Sequence, residues 1–240
     1  MTDTATVVPR VPPGVHRVGF GHLFVHLLVD ETGVVLIDTG MIGEVNLIHR
    51  KLRALGFDWK DVRAILLTHG HLDHAGRAHV IRRLTEAPIY AHPEEQPHID
   101  GCYPYTGISR VCGILEACGR FLFRYHSVPI DVPLHDGQHL DLWGGLEVMH
   151  LPGHSIGHCG FYSAKHDVLF SGDLFEDWFG WTRASPPWFN SCPQFFPESY
   201  RRVAELNPTY ILPNHYIQND GRAVARRFHR YYERRWKQDT

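Results

Sequence analysis

The sequence predicts an α/β (α+β) protein in which two β-sheets pack together with helices outside. Three observations predict it. Short runs rich in β-branched and aromatic residues fill 15–37 and return over 140–170, as half-buried strands require. Segments with apolar residues at helical spacing follow each β-rich stretch, so the chain reads as two successive β-then-α halves. A length of 240 residues, 43% apolar and 21% charged, is enough to bury a sizeable core and too apolar for a disordered chain. No Ser/Gly-rich linker, low-complexity tract or repeat interrupts it, so we expect 1–240 to form a single domain, with an insertion at about 93–127.

Val15 to Phe20, Leu23 to Val29 and Val34 to Ile37 read as strands, with turns at Glu31-Thr32-Gly33 and Asp38-Thr39-Gly40. Val45, Ile48, Leu52 and Leu55 are spaced for a helix that Gly56 stops. Val62 to Leu67 suits a buried strand, Gly76 to Thr85 a helix, and Pro88 to Ala91 a strand. From His92 to Tyr125 the alternation is lost, and Ile108 to Tyr125 reads as an irregular or helical packing element over one edge. Strands resume at Leu140 to Leu142, Leu146 to Leu151, Gly160 to Ser163 and Val168 to Phe170. A helix at Ser199 to Leu206, a strand at Tyr210 to Leu212 and a basic, exposed helix at Gly221 to Trp236 complete the chain.

Composition narrows the function. The net charge of −2 lacks the basic excess of a phosphate-gripping surface, so nucleic acid is not expected as a partner. No stretch of 18 apolar residues is present and Met1 to Pro13 has no apolar h-region, so neither membrane nor secretory targeting is expected. The five cysteines (Cys102, Cys112, Cys118, Cys159 and Cys192) are odd in number and form no CxxC pair, as for reduced thiols in a cytoplasmic protein. The expected partner is a small-molecule substrate; nothing in the pattern sets an oligomeric state.

Histidine is overrepresented, with nineteen residues, and the question is which of them cluster with carboxylates. His69, His71, Asp73 and His74 fall within six residues, directly after an apolar strand. In an extended segment His69 and His71 share one face, while Asp73 and His74 lie around a bend and can serve a neighbouring site. Imidazole and carboxylate suit zinc, iron or manganese. His154, Asp173 and His215 each follow an apolar run too, at strand ends where loops gather on one rim. His22 and His26 read as packing or supporting residues, and His158 as lying outside the ligand set.

Thr68-His69-Gly70-His71-Leu72-Asp73-His74 resembles the HxHxDH signature of the metallo-β-lactamase superfamily. Pro152-Gly153-His154, Ser171-Gly172-Asp173, Asn214-His215 and Ile37-Asp38-Thr39-Gly40 resemble its remaining motifs, in the same order, over about 15–216. The resemblance implies a four-layer αββα sandwich, two mixed β-sheets packed face to face with helices outside. It also implies two divalent metal ions, Zn2+ first, with Fe or Mn as options. His69, His71 and His154 hold one ion, Asp73, His74 and His215 the other, Asp173 bridges them, and Asp38 supports the metal loop.

The implied activity is a dinuclear metal-dependent hydrolase of an ester, thioester or lactone. A metal-bridging hydroxide is the nucleophile, and Asp73 orients it or moves a proton. Antibiotic-degrading members usually carry cysteine or serine at the bridging position; Asp173 places this chain nearer the lactonase and glyoxalase II-like branch. It differs from that branch in having Glu176 where acyl-homoserine lactonases carry tyrosine. It also has only 25 residues after His215, where glyoxalase II-like proteins carry a helical domain. The alternatives are a mononuclear iron oxidoreductase resembling persulfide dioxygenase, on His69, His154 and Asp173, and a phosphodiesterase on the same site. The aromatic stretch with Trp178, Phe179, Trp181, Trp188 and Phe189 is expected to line a pocket for an apolar acyl or aromatic group.

Overall fold

The computed structural model describes residues 10–21, 23–217 and 220–237; His22 lies outside them. Val15–Phe20 (β1), Leu23–Asp30 (β2) and Gly33–Ile37 (β3) pair as an antiparallel meander. Glu44–Ala54 (α1) leads to Val62–Leu66 (β4), parallel to β3. Leu72–Ala75 (α2) and Ala78–Thr85 (α3) precede Ile89–Ala91 (β5), parallel to β4. Gln96–Asp100 (α4) and Arg110–Leu122 (α5) lie in the connection to Val132–Pro133 (β6), parallel to β5. These strands form one mixed sheet in sequential order.

His139–Leu140 (β7), Leu146–His150 (β8), Cys159–Ser163 (β9) and Val168–Gly172 (β10) follow. Next come a hairpin of Glu176–Trp178 (β11) and Trp181–Arg183 (β12), then Phe196–Leu206 (α6), Tyr210–Pro213 (β13) and Gly221–Arg235 (α7). The second sheet runs β13-β10-β9-β8-β7, with β13 parallel to β10 and the rest antiparallel.

The period-2 alternation of strand side chains builds the layers. Leu28, Val35, Ile37 and Leu66 face Val148, Phe161 and Leu169 between the sheets. Their neighbours Leu27, Val34, Leu36 and Ile65 face the other way, onto Ile48 and Leu52 of α1 and Ile81 of α3. On the far side Tyr200 of α6 and Phe228 of α7 close the second sheet. The result is the expected αββα sandwich.

Three details differ from the sequence reading. The helix expected over 76–85 begins at Ala78, and a separate short helix, α2, precedes it within the metal loop; between the two the Arg77 amide donates to Thr39 Oγ1 at 3.2 Å. The 177–189 stretch contains a hairpin with no clear alternation in its sequence. The C-terminal helix is not simply an exposed basic face. Val224, Ala225 and Phe228 are buried, and Arg227 donates to both oxygens of the fully buried Asp177 at 2.7 and 2.8 Å. That pair ties α7 to the hairpin beside the metal loop. Removing one member of a buried pair strands the other charge, so Asp177→Ala should lower the unfolding free energy by about 3 kcal/mol in urea titration; an unchanged midpoint and slope would show the pair to be idle.

Candidate metal centre

Seven side chains meet at one rim of the sandwich, each delivered by a strand end. β4 runs into Thr68 and the loop carrying His69, His71, Asp73 and His74. His154 follows β8, Asp173 follows β10, and His215 follows β13. Three groups have ligand atoms within 4.8 Å of one another: His69, His71 and His154; His69, His74 and Asp173; Asp73, His74 and His215. Asp173 touches both ends of the cluster. Its Oδ1 is 3.3 Å from His74 Nε2, and its Oδ2 is 3.1 Å from His215 Nε2 and 3.7 Å from His154 Nε2. Asp73 Oδ2 lies 3.2 Å from His215 Nε2.

The outer hydrogen bonds set the histidine tautomers. Asp38 accepts from Thr68 N, Thr68 Oγ1, His74 Nδ1 and Asn214 Nδ2, all at 2.8–2.9 Å. With its Nδ1 proton on Asp38, His74 aims Nε2 at Asp173. Thr68 Oγ1 gives its proton to Asp38 and accepts from His69 Nδ1 at 3.1 Å, which leaves His69 Nε2 buried with no partner. Asn190 commits its amide to the carbonyls of Ser185 and Pro186, so its Oδ1 accepts from His154 Nδ1 at 3.0 Å. His154 Nε2 then faces His71 Nδ1 at 2.9 Å. Lone pairs at that distance repel unless a cation or a proton lies between them.

Electrostatics point the same way. Burial holds His69, His71 and His154 below the usual histidine range, so they are neutral donors at pH 7. Burial also pulls on His74 and His215, but the carboxylates of Asp173 and Asp73 outweigh it; His74 is raised and His215 is pushed up to about 10. Asp173 is held well below the carboxylate range because His215 and His74 outweigh its burial. The site demands positive charge. Orphaned Nε2 atoms, converging lone pairs and a His/Asp donor set fit divalent metal ions.

Supporting residues surround the ligands, and of these Glu95 and Asn190 carried no mark in the sequence. His158 donates from Nδ1 to Leu151 O and accepts the Asp173 amide at Nε2, both at 3.0 Å. Burial lowers it to about 3, so it stays neutral and outside the ligand set. Gly172 makes room for it: its φ is +53°, and a Cβ there would meet His158 Nε2 at 2.5 Å. Glu95 accepts from the amides of Gly70 and Gly157 at 2.7 and 2.8 Å. His26 is packed between Phe170 and Tyr216. A further trio, His92, Glu94 and His150, is less apt, because its rings stack face to face at 4.4 Å and their nitrogens are engaged, His150 Nε2 with Ile156 O at 2.8 Å and His92 Nδ1 with the Glu94 amide at 3.3 Å.

A cavity of about 440 Å³ opens over the cluster. His71, Asp73, His154, Asp173 and His215 form its floor, while Leu115 and Phe123 on one side and Trp178 and Phe189 on the other form apolar walls. Of the five aromatics expected to line a pocket, Trp178 and Phe189 lie on this cavity. Phe179 and Trp181, 76% and 77% exposed at the hairpin turn, and Trp188, 42% exposed, are not part of its lining. The hairpin turn directs Phe179 and Trp181 to solvent, which stretch composition did not reveal.

Residues 18–215 match a family model described as the metallo-beta-lactamase superfamily. The chain is 28% identical over 222 residues to a probable metallo-hydrolase of Bacillus subtilis, covering 83% of this chain and 81% of that one. It is 33% identical over 162 residues to a hydroxyacylglutathione hydrolase of Haemophilus influenzae, covering 64% of this chain and 66% of that one. A crystal structure of a metallo-beta-lactamase family protein from Thermus thermophilus superposes with a TM-score of 0.68 at 25% identity, over 93% of this chain and 80% of that one.

Metal must displace the protons that His74 and His215 hold in the metal-free site. Because both groups are raised, those protons are present at pH 7 and leave as pH climbs toward about 10. Apparent metal affinity, measured by chelator competition between pH 6.5 and 8.5, should therefore rise by about tenfold per pH unit for each proton displaced. A flat profile would contradict the electrostatic reading.

Proposed function

The chain belongs to the metallo-β-lactamase superfamily and is a metal-dependent hydrolase, and from that premise we propose that it cleaves an ester, thioester or lactone with an apolar acyl part. One observation carries this reading: a cavity floored by the metal cluster and walled by apolar side chains. A small-molecule substrate with a polar, hydrolysable group and an apolar body matches that division. We take the resident ions to be two Zn2+, held by His69, His71 and His154 and by Asp73, His74 and His215, with Asp173 between; iron and manganese accept the same donors. When bound, such ions acidify water and polarise a carbonyl.

The chain's own residues do the rest. Asp73 is the ligand candidate most open to the cavity, its side chain 32% exposed. Burial raises its pKa, but His74 and His215 outweigh that and keep it ionised, so it can accept a hydrogen bond from the attacking water and orient it. Glu176 on the cavity wall is paired with Arg183 at 3.0 Å. Trp178 and Phe189 exclude water from the acyl side. The relative named hydroxyacylglutathione hydrolase supports acyl transfer to water as the chemistry. The unpaired cysteines and the lack of any helix long and apolar enough to cross a membrane among the described residues support our placing it in the cytoplasm.

Turnover of a panel of chromogenic esters, thioesters and lactones by metal-loaded protein tests the proposal. Asp73→Ala should fold and lose at least about a hundredfold in kcat/KM. Trp178→Ala should raise KM for long-chain esters about tenfold through lost apolar contact, whereas Trp181→Ala should not. Full activity in Asp73→Ala, or oxygen uptake with a glutathione persulfide in place of ester cleavage, would overturn it.

A further inference from the structure

The connection between β5 and β6 sends one face of α5 toward the metal loop. Cys112, Glu116 and Arg120 are four residues apart, so they stack along a single stripe of the helix. Each reaches a different part of the loop. Glu116 Oε1 accepts from the amide of Leu72 at 2.9 Å. Arg120 Nη2 donates to Gly70 O at 3.3 Å and to His98 O at 2.6 Å, and Nη1 to Ile99 O at 3.0 Å. The two side chains are joined at 2.9 Å, each only 13% exposed. Cys112 Sγ lies 3.9 Å from His71 Nε2, the ring nitrogen opposite the one facing His154.

The loop has no slack on that side. A Cβ at Gly70, between His69 and His71, would meet His98 Cβ at 2.7 Å and the Ile99 amide at 2.9 Å. One at Gly119 would meet Leu72 Cδ2 at 2.5 Å. The loop is thus gripped from the core by Asp38 and from outside by α5 and α4.

Resting on the metal centre proposed above, we propose that α5 is a positioning element for that centre: Cys112, Glu116 and Arg120 hold Gly70, His71 and Leu72 so that the His71 ring presents Nδ1 to the metal. A lid that merely covers the cavity would touch substrate and leave metal affinity alone. A positioning element changes the affinity and the ligand field even with no substrate present, because groups that orient a ligating histidine typically govern metal binding by about 10- to 100-fold.

The test is a Co2+ titration of metal-free full-length protein, followed by its visible d–d absorption and by chelator competition. Glu116→Ala should weaken Co2+ binding at least about tenfold and change the d–d bands. Glu116→Gln, which keeps an acceptor for the Leu72 amide, should recover most of the affinity. Leu122→Ala, on the exposed side of α5, should match wild type. Cys112→Ala is the second probe should Glu116→Ala not fold, and it should alter the band pattern alone. Wild-type affinity and spectrum in folded Glu116→Ala or Cys112→Ala would overturn the inference while leaving the metal centre intact. Failure of the wild type to bind Co2+ would overturn both.

Discussion

Four hydrogen bonds end on the carboxylate of Asp38, and they come from elements far apart in the chain: Thr68 after β4, His74 of α2 and Asn214 after β13. Asp38 itself closes β3 with a left-handed φ of 64°, a conformation in which aspartate is tolerated better than most side chains. Because Asn214 leaves the second sheet and Thr68 the first, this one buried group pins the ends of both sheets at the same point. The tautomers of His69 and His74 depend on it, and so does the direction in which their free nitrogens face.

The arrangement gathers charge and lone pairs where a fold alone would avoid them. Burial opposes ionisation of every group in the cluster, yet two carboxylates remain ionised and two histidines remain cationic when no metal is present. Packing keeps them there. The two sheets deliver the ligands on strand ends, whose positions are set by the β-ladders and the apolar core between them. Outer contacts from Asn190, His158, Glu95 and α5 remove the remaining freedom. A divalent cation satisfies the whole set at once, which protons do only partly.

The sandwich was legible because most of its strands are short β-branched runs separated by turn residues, and because helix α1 carries apolar residues at helical spacing. The seven candidate ligands stood out through histidine and aspartate at strand ends, most clearly where four fell within six residues. Less legible was whatever depends on contacts distant in sequence. Asn190 is one of five asparagines, with no motif around it, until its Oδ1 meets His154. Glu116 and Arg120 look like an ordinary i,i+4 surface pair until α5 is laid against Gly70 and Leu72. The aromatic stretch showed that an apolar wall was available but not which rings form it; a hairpin turn sends Phe179 and Trp181 outward and leaves Trp178 on the cavity.

The central claim is that seven side chains, oriented through Asp38 and its neighbours, hold two divalent ions. It is tested most directly by metal analysis and native mass spectrometry of protein purified without chelator or added metal, alongside Asp38→Ala. The account predicts about two divalent ions per wild-type chain and fewer in the folded variant. A wild-type chain that carries no metal, or an Asp38→Ala chain that carries the full complement, would contradict it.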